Sequence, residues 1–449
     1  MNYEQARLCA QQIGKSGSIL GLESIQNLMR ELSDVQEKLN IIHIAGTNGK
    51  GSVGAFLESV LMEAGYKVGR YTSPAVFDPL EVWRINQTNI SREDYARIFE
   101  QVKAACDRMV SKEMPHPTIF EVETAMAFVW FYENSCDYVL LEVGMGGRTD
   151  ATNLITHPVC SVLASISLDH MQFLGNTVEE IALVKAGIIK ENCPVVTTSQ
   201  GRYRDRILPV IRKVAEEKHA PLFISDPGEA VLLEDTPEQL RFSCPLAGMI
   251  TLSMAGSYQI ENAMLAIHVL KDVLKIRDSV ICSGMAKTKW PGRFEVIHRD
   301  PWIILDGAHN EDAAVKLAMT IENYFTNKPI TYIIGVLADK EHAKVLKTML
   351  PYAGAVYTVT PDNPRAMAAE KLAEEAVGIV SDLYKEERQQ KNENMQVITI
   401  LEQKPEVKAC HSITEAVEQA LAHTATDGVI LAFGSLSYLK EVKQTIQAD

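Results

Sequence analysis

Several features that would assign a protein to a familiar class are missing from this sequence. Its eight cysteines are scattered without a Cys-x-x-Cys pair, so neither a zinc site nor a disulfide framework is expected and reduced thiols in a cytoplasmic protein are favoured. No apolar run approaches the length of a membrane span, and the first residues lack the basic-then-apolar plan of a signal peptide. The formal net charge of −14 argues against a general nucleic-acid binder.

The composition is that of a globular protein with more than one domain. Hydrophobic residues make up 46% and charged residues 23% of the 449 residues, and a chain of this length is expected to divide into two domains. A Pro-Gly pair at Pro291 and Gly292 separates a helical pattern from a strand pattern. We therefore predict one domain over residues 1–290 and a second over 291–449.

The pattern around which the chain is organised runs from Leu39 to Gly65. A continuous apolar run at 41–45 predicts a strand buried on both faces, and apolar residues three and four apart over 53–64 predict a helix that Gly65 ends. Between them lies a polar, glycine-rich loop, consisting of Gly46, Thr47, Asn48, Gly49, Lys50, Gly51 and Ser52.

This loop has the chemistry of a phosphate site. Its glycines let backbone N–H groups close around a phosphate, the helix N-terminus adds partial positive charge and Lys50 supplies a full one. The match to the general P-loop pattern is imperfect, because Ile44 stands at the first glycine position and Gly51 separates Lys50 from Ser52. A glycine-rich turn without a ligand is the alternative, but the register of strand, lysine and helix favours a nucleotide-phosphate site.

Strands and helices alternate along the chain, which predicts an α/β fold with a doubly wound, mostly parallel sheet. The segment up to Ile90 is expected to be irregular. Short β-like pieces around four positions suggest a small antiparallel addition, namely Leu222, Leu232, Leu240 and Ile250. In the second half we predict strands at 302–305, 330–336, 355–359 and 429–433.

Three polar residues fall at or just past predicted strand ends, where ligands bind in such sheets. Glu142 occupies the position from which P-loop proteins hold the metal that bridges nucleotide phosphates, although an ordinary solvated carboxylate is the alternative. Taken alone, His170 is more simply interpreted as a loop residue whose hydrogen bonds are made by its neighbours. Together with Ser73, these side chains offer oxygen and imidazole ligands suited to a divalent metal.

Lys185 lies in an otherwise apolar part of a helix predicted over 177–189, which a Thr-x-x-Glu capping box opens. From the pattern alone, a lysine whose stem is buried and whose amine reaches water is the simpler reading. In the second half, Asp306 to Asn310 follow a strand and open a helix, and Ser435 follows the last strand. Either segment is a candidate ligand-binding position or a plain turn.

Taken together in their order, these motifs resemble the folylpolyglutamate synthase and dihydrofolate synthase family of the Mur ligase superfamily. The motifs that carry the resemblance are GTNGKGS at 46–52, Ser73-Pro74, LEVGMGGR at 141–148, DATN at 150–153, Asp169-His170, KAGI at 185–188, WPGR at 290–293 and DGAHN at 306–310. They span most of the chain.

The resemblance implies an ATP-dependent amide ligase with an N-terminal P-loop domain, a smaller C-terminal Rossmann-like domain and ATP between them. It assigns magnesium, with two sites expected, to Ser73, Glu142 and His170, and makes Lys185 the family's carbamylated lysine, catalytic together with His170. In addition to the glycine-rich loop, the ATP site would include Asn262, Arg293, Asp306 and His309. Substrate-binding positions would be Thr118, Phe120, Asp150, Ala151 and Thr152 on the pterin side and Ser435 near the incoming amino acid.

The expected reaction adds L-glutamate to the carboxylate of a folate, and possible acceptors include dihydropteroate. A cell-wall precursor ligase is one alternative, but only 45 residues precede Gly46, too few for the nucleotide-sugar domain expected there. A regulatory P-loop nucleotide switch is another, against which the Asp306 and His309 cluster argues. We expect a monomer acting on small molecules in the cytoplasm, without nucleic-acid or membrane partners.

Overall fold

The computed structural model describes residues 1–14, 21–326, 328–392 and 404–448. Within these ranges the chain forms two compact units. The first comprises residues 1–233, 241–252 and 259–288, and the second comprises 234–240, 253–258 and 289–449. The predicted boundary between residues 290 and 291 stays a prediction.

The first unit is built on an eight-stranded sheet. In chain order its strands are β1 Ile41–Ala45, β2 Val68–Tyr71, β3 Trp83–Ile85, β4 Thr88–Asn89, β5 Tyr138–Glu142, β6 Cys160–Leu163, β7 Val195–Thr198 and β8 Leu222–Ser225. Their order across the sheet is β4-β3-β2-β5-β1-β6-β7-β8. From β2 to β8 the neighbours pair in parallel, so the carboxyl ends of these strands share one edge, and β1 lies centrally with every residue buried.

Helices cover this sheet. They are α1 Tyr3–Gly14, α2 Glu23–Glu31, α3 Lys50–Glu63, α4 Arg92–Ser111, α5 Ile119–Glu133, α6 Met171–Leu174, α7 Val178–Ala186, α8 Arg204–Glu217, α9 Gln259–His268 and α10 Asp278–Lys287. One core cluster packs α1, α2, α4 and α5 on one side, and a second packs α7 and α8 against β6 and β7. Burial of both faces of the parallel strands explains their continuous apolar sequences.

Two expectations for this half need correction. The segment before Ile90, expected to be irregular, contains the antiparallel β3–β4 hairpin, which extends the sheet beyond β2. Leu222, expected in an antiparallel addition, begins β8, which pairs in parallel with β7. The other three pieces form a separate three-stranded sheet of β9 Val231–Asp235, β10 Leu240–Cys244 and β11 Gly248–Leu252, in the order β11-β10-β9.

The second unit contains a six-stranded sheet. Its strands are β12 Glu295–Arg299, β13 Trp302–Leu305, β14 Ile330–Ile334, β15 Ala353–Thr358, β16 Glu406–Ala409 and β17 Val429–Phe433, and its helices are α11 Glu311–Tyr324, α12 His342–Met349, α13 Ala369–Asn392, α14 Ile413–His423 and α15 Leu439–Ala448. The order is β12-β13-β17-β14-β15-β16, with an antiparallel β12 beside five parallel strands. The predicted α/β fold class is confirmed.

Candidate active site

The glycine-rich loop joins the central strand β1 to helix α3, as the sequence predicts. Gly49 precedes the helix with a φ of 88°, a left-handed conformation that glycine adopts without steric cost. A Cβ at Gly49 would overlap the side-chain oxygen of Asn262 on α9, and a Cβ at Gly46 would lie 2.9 Å from that of Ala164. Glycine is therefore required at both positions for the loop to pass this closely to its neighbours.

The loop is fixed in place by the segment that follows β6. The N–H groups of Thr47 and Asn48 donate to the carbonyl of Ser165 at 2.8 and 3.2 Å. The hydroxyl of Thr47 donates to the carbonyl of Ser167 at 3.1 Å and accepts from its N–H at the same distance. These bonds hold the loop beside the segment that leads to His170.

Lys50 and Glu142 lie together at this edge. The Lys50 ammonium is 3.8 Å from Glu142 Oε1 and donates to the carbonyl of Gly46 at 3.2 Å. Glu142 Oε2 accepts a hydrogen bond of 2.6 Å from the hydroxyl of Thr72, the residue before Ser73. Because Ile44 on β1 pairs with Glu142 on β5, the parallel register itself brings this carboxylate to the loop.

Lys185 also points at the loop. Its side chain is 5% exposed, and its Nζ donates to the carbonyl of Gly46 at 2.9 Å. The simpler reading of the sequence, a lysine with its amine in water, is therefore wrong. The predicted capping box does open the helix, with Thr177 and Glu180 satisfying each other's backbone N–H groups, and the helix ends at Ala186 rather than continuing to residue 189.

The metal ligands expected from the sequence were Ser73, Glu142 and His170. His170 follows β6 in a left-handed conformation, with Nε2 3.7 Å from Asp169 Oδ2. Among the residues that the structure describes, no group of three or more His, Cys, Asp or Glu side chains is arranged to hold a metal. A largely buried carboxylate beside the glycine-rich loop nevertheless fits magnesium, which commonly uses one or two carboxylates together with substrate phosphates and water.

The residues expected on the pterin side divide into two groups. Thr118 is the N-cap of α5, where it forms a capping box with Glu121. Phe120, two residues later, lies against the backbone of Gly144 just beyond the end of β5, where a Cβ at Gly144 would be 2.5 Å from the ring. Phe120 therefore reaches the same sheet edge as Glu142.

Asp150 and Thr152 belong to a buried hydrogen-bond network. Asp150 Oδ1 accepts from the N–H and hydroxyl of Thr152 at 3.0 and 2.6 Å, and its Oδ2 accepts from the Met145 N–H at 2.8 Å. His43 Nε2 lies 2.9 Å from the Thr152 hydroxyl; because that hydroxyl donates its proton to Asp150, the ring nitrogen is the donor to its oxygen. Burial raises the pKa of Asp150 and lowers that of His43 to about 3; Ala151 is buried beside them.

In the second unit, polar residues meet at the ends of β13 and β17. Asp306 is buried and accepts from the N–H groups of Phe294 and Ala308, both at 2.8 Å; burial raises its pKa, against the opposing charge of Arg293.

Arg293 itself donates to the carbonyl of Gly292 at 3.0 Å, and His309 Nδ1 lies 2.9 Å from the carbonyl of Gly307. The Ser435 hydroxyl accepts a 3.3 Å bond from the Ser437 N–H. The expected ligand contacts of these residues stay predictions.

Sequence reasoning missed two buried groups beside the loop. His43 stands within the apolar strand β1, and Arg70 stands within β2, where it pairs with Glu58 of α3 at 3.0 Å. A polar residue in the middle of a buried strand was the available signal.

Two segments of the chain match known protein families. Residues 44–270 match the Mur ligase middle domain and residues 292–436 match the Mur ligase glutamate ligase domain. The chain is 38% identical over 382 residues to the dihydrofolate synthase/folylpolyglutamate synthase of Bacillus subtilis, covering 82% of this chain and 88% of that protein.

Solved structures of similar proteins point to the same family. The folylpolyglutamate synthase of Thermotoga maritima matches with a TM-score of 0.81 and 30% identity, covering 99% of this chain and 97% of that one. Escherichia coli FolC in complex with DHPP and ADP matches with a TM-score of 0.83 and 27% identity, covering 100% of this chain and 98% of that one. The prediction of a two-domain ligase of this family is confirmed. The chain belongs to the folylpolyglutamate synthase and dihydrofolate synthase family of Mur ligases.

Proposed function

We propose that this chain uses ATP to join the amine of L-glutamate to the carboxylate of a folate, with dihydropteroate as a further acceptor. The observation that carries the proposal is the phosphate loop of residues 46–52, which opens α3 and holds the Lys50 ammonium 3.8 Å from the Glu142 carboxylate. The Bacillus subtilis relative carries both activities in its name. No specific observation favours a cell-wall precursor ligase or a regulatory nucleotide switch.

The chemistry explains why ATP is required. The oxygen of a carboxylate is a poor leaving group, so an amine cannot displace it at a useful rate. Transfer of the γ-phosphoryl group of ATP to the carboxylate forms an acyl phosphate and ADP. The amine of glutamate then attacks the acyl carbon, phosphate departs with the electron pair of its C–O bond, and the nitrogen loses a proton.

The loop supplies the positive charge that phosphoryl transfer needs. The first-turn N–H groups of α3 point out of the helix without intrahelical partners and bind phosphate oxygens. Lys50 adds a full charge at the same place, and its hydrogen bonds to the carbonyls of Gly46 and Thr47, at 3.2 and 3.5 Å, hold its amine against the loop. Charge that develops during transfer is stabilised by donors already in position. Asn262, Arg293, Asp306 and His309 complete the nucleotide site in this proposal.

Ser73, Glu142 and His170 would hold magnesium, with a second ion expected nearby. The metal would neutralise charge on the phosphate oxygens. Glu142 suits the role because its Oε2 is oriented by Thr72 at 2.6 Å, which leaves Oε1 facing the Lys50 side.

Lys185 completes this group as a carbamate. A desolvated lysine favours its neutral amine, which can add to carbon dioxide and release a proton, so that a cation becomes an anion with oxygen ligands. The carbamate nitrogen keeps one hydrogen, and the 2.9 Å bond to the Gly46 carbonyl is therefore compatible with either form.

On the acceptor side, Thr118, Phe120 and the segment from Asp150 to Thr152 would line the pterin, and Ser435 would lie near the incoming glutamate. We also expect the enzyme to act as a monomer in the cytoplasm; the eight cysteines are all free thiols. In the part of the chain that the structure describes, no helix has both the length and the apolar character to span a bilayer.

Phosphate release tests the proposal. With ATP, magnesium and L-glutamate present, release should depend on adding dihydropteroate or a reduced folate and should fall to background when glutamate is left out. Release that is unaffected by either omission would instead indicate a simple nucleotide hydrolase.

A further inference from the structure

The phosphate loop is backed by a buried arginine that the proposed mechanism does not use. Arg70 on β2 is 2% exposed, and its Nη2 donates to the carbonyl of Gly51 in the first turn of α3 at 2.6 Å. Its Nη1 donates to Glu58 Oε2, two turns further along the same helix, at 3.0 Å. One guanidinium therefore ties the start of α3 both to its own later turns and to β2.

The surrounding residues are fitted to this guanidinium. A Cβ at Gly54 would lie 3.1 Å from Nη2 and 3.3 Å from Cζ of Arg70. Glycine within a helix is less stable than alanine, and here it leaves the space that the guanidinium fills. Glu58 Oε1 accepts from the Gln87 N–H at 3.0 Å, and Arg84 Nη2 lies 3.9 Å from Glu58 Oε2.

The position of the cation matters because of the peptide group that it contacts. The carbonyl of Gly51 and the N–H of Ser52 belong to the same peptide unit. Ser52 lies in the first turn of α3, where N–H groups have no intrahelical acceptor and point toward a bound phosphate. A hydrogen bond accepted by the carbonyl polarises the peptide and strengthens its N–H as a donor, and the effect is larger when the donor is charged.

We propose that Arg70 is a positioning residue for phosphate binding, which fixes the first turn of α3 and polarises the Gly51–Ser52 peptide toward the nucleotide. The inference rests on the proposed function in one respect, namely that the anion held by the loop is a nucleotide phosphate. Arg70 itself is buried behind the helix and acts only through this peptide.

The test removes the cation together with Glu58, the carboxylate that it pairs with. In the double variant Arg70→Met with Glu58→Gln, the new amide oxygen still accepts from the Gln87 N–H. Replacement of a buried ion pair by neutral groups is often close to neutral for stability, so the melting temperature should stay within about 5 °C of the original. Arg84→Met is the matched control, because it removes a cation beside Glu58 that does not contact Gly51.

Two measurements decide the proposal. By calorimetric titration, the double variant should bind ADP with magnesium about tenfold more weakly, with adenosine affinity unchanged. In the nucleotide-free protein, amide hydrogen exchange over residues 46–57 should accelerate about tenfold. Arg84→Met should match the original chain in both. ADP affinity within twofold of the original, an equal loss of adenosine affinity, or unchanged exchange in the double variant would overturn the proposal.

Gly54→Ala provides a second, independent variant should the double variant fail to fold. It keeps every charge, but its methyl carbon would lie 3.1 Å from Nη2 and push the guanidinium by a few tenths of an ångström, so smaller losses of ADP affinity and exchange protection, in the same direction, are expected. Retention of both would refute the role of Arg70. Failure of the original chain to bind ADP would refute the proposed function, and the exchange measurement, which needs no nucleotide, would still decide whether Arg70 holds the loop.

Discussion

Replacement of Lys185 by alanine, followed by chemical rescue, separates two roles for this buried residue. As an ammonium, Lys185 would act by donating to the Gly46 carbonyl, at the 2.9 Å that the structure shows. As a carbamate, it would act as an anion that holds metal. Both roles predict a loss of turnover, and we expect about 10²–10³-fold because one preorganised charged group near the phosphates is removed.

The effect on stability can be worked from the same contact. Lys185 makes a charge-assisted hydrogen bond to a buried carbonyl, and removing one such bond costs about 1.5–3 kcal/mol. For a domain of this size the melting temperature should fall by about 3–10 °C. Lys190→Ala is the matched control, because Lys190 Nζ donates to the carbonyl of Asn153 at 3.0 Å and the position has no proposed catalytic role. The control should lose similar stability and keep its turnover.

Chemical rescue distinguishes the two roles. Acetate or formate should partly restore the turnover of Lys185→Ala if the missing group is an anion, whereas methylammonium should restore it if the missing group is an ammonium. Lys185→Glu should recover less than the rescued alanine variant, since its carboxylate lies closer to the backbone. Full turnover in Lys185→Ala or in Lys185→Arg, or rescue by methylammonium alone, would refute the carbamate.

The remaining predictions concern the loop and the strand before it. Lys50→Ala, at the start of α3, should lower ligation about 10²–10³-fold with little change in melting temperature. The control is Lys287→Ala, which breaks an exposed ion pair with Glu63 at the other end of α3 and should change neither the ligation rate nor the melting temperature. Gly49→Ala should prevent nucleotide binding, because the new Cβ would overlap Asn262 and the φ of 88° disfavours alanine; titration calorimetry measures this, and normal affinity would contradict it. Burial lowers the pKa of His43 from its usual 6.5 to about 3 in the folded state, so between these pH values the unfolded chain binds one proton more than the folded chain. The free energy of unfolding should therefore fall by up to about 1.4 kcal/mol per pH unit as the pH drops below 6.5. His43→Gln should remove that slope, as measured by urea unfolding at pH 7, 6 and 5.

The sequence was sufficient to locate the phosphate loop because its signals are local. A run of apolar residues from 41 to 45, a glycine-rich turn and an apolar helix face each specify their own structure. Long parallel strands such as β14 and β17 were also predictable, since strands buried on both faces are continuously apolar. The resemblance then supplied the family from motifs spread along the chain.

The errors arose where tertiary context decides. Leu222 begins a short edge strand, and a four-residue apolar piece does not reveal whether its partner runs parallel or antiparallel. The β3–β4 hairpin has a polar turn at Asn86 and Gln87, both with positive φ, which resembles an irregular segment. The pattern around Lys185 predicted a helix and its capping box, but neither its end at Ala186 nor the direction of the lysine side chain.

Mass spectrometry of the reaction products shows whether the enzyme joins glutamate to a folate. The enzyme is incubated with ATP, magnesium and L-glutamate, together with either dihydropteroate or a reduced folate. We expect a product heavier than its acceptor by one glutamate residue, formed with one ADP and one phosphate per bond. ATP turnover with neither acceptor becoming heavier, or a glutamate adduct formed without ATP, would contradict it.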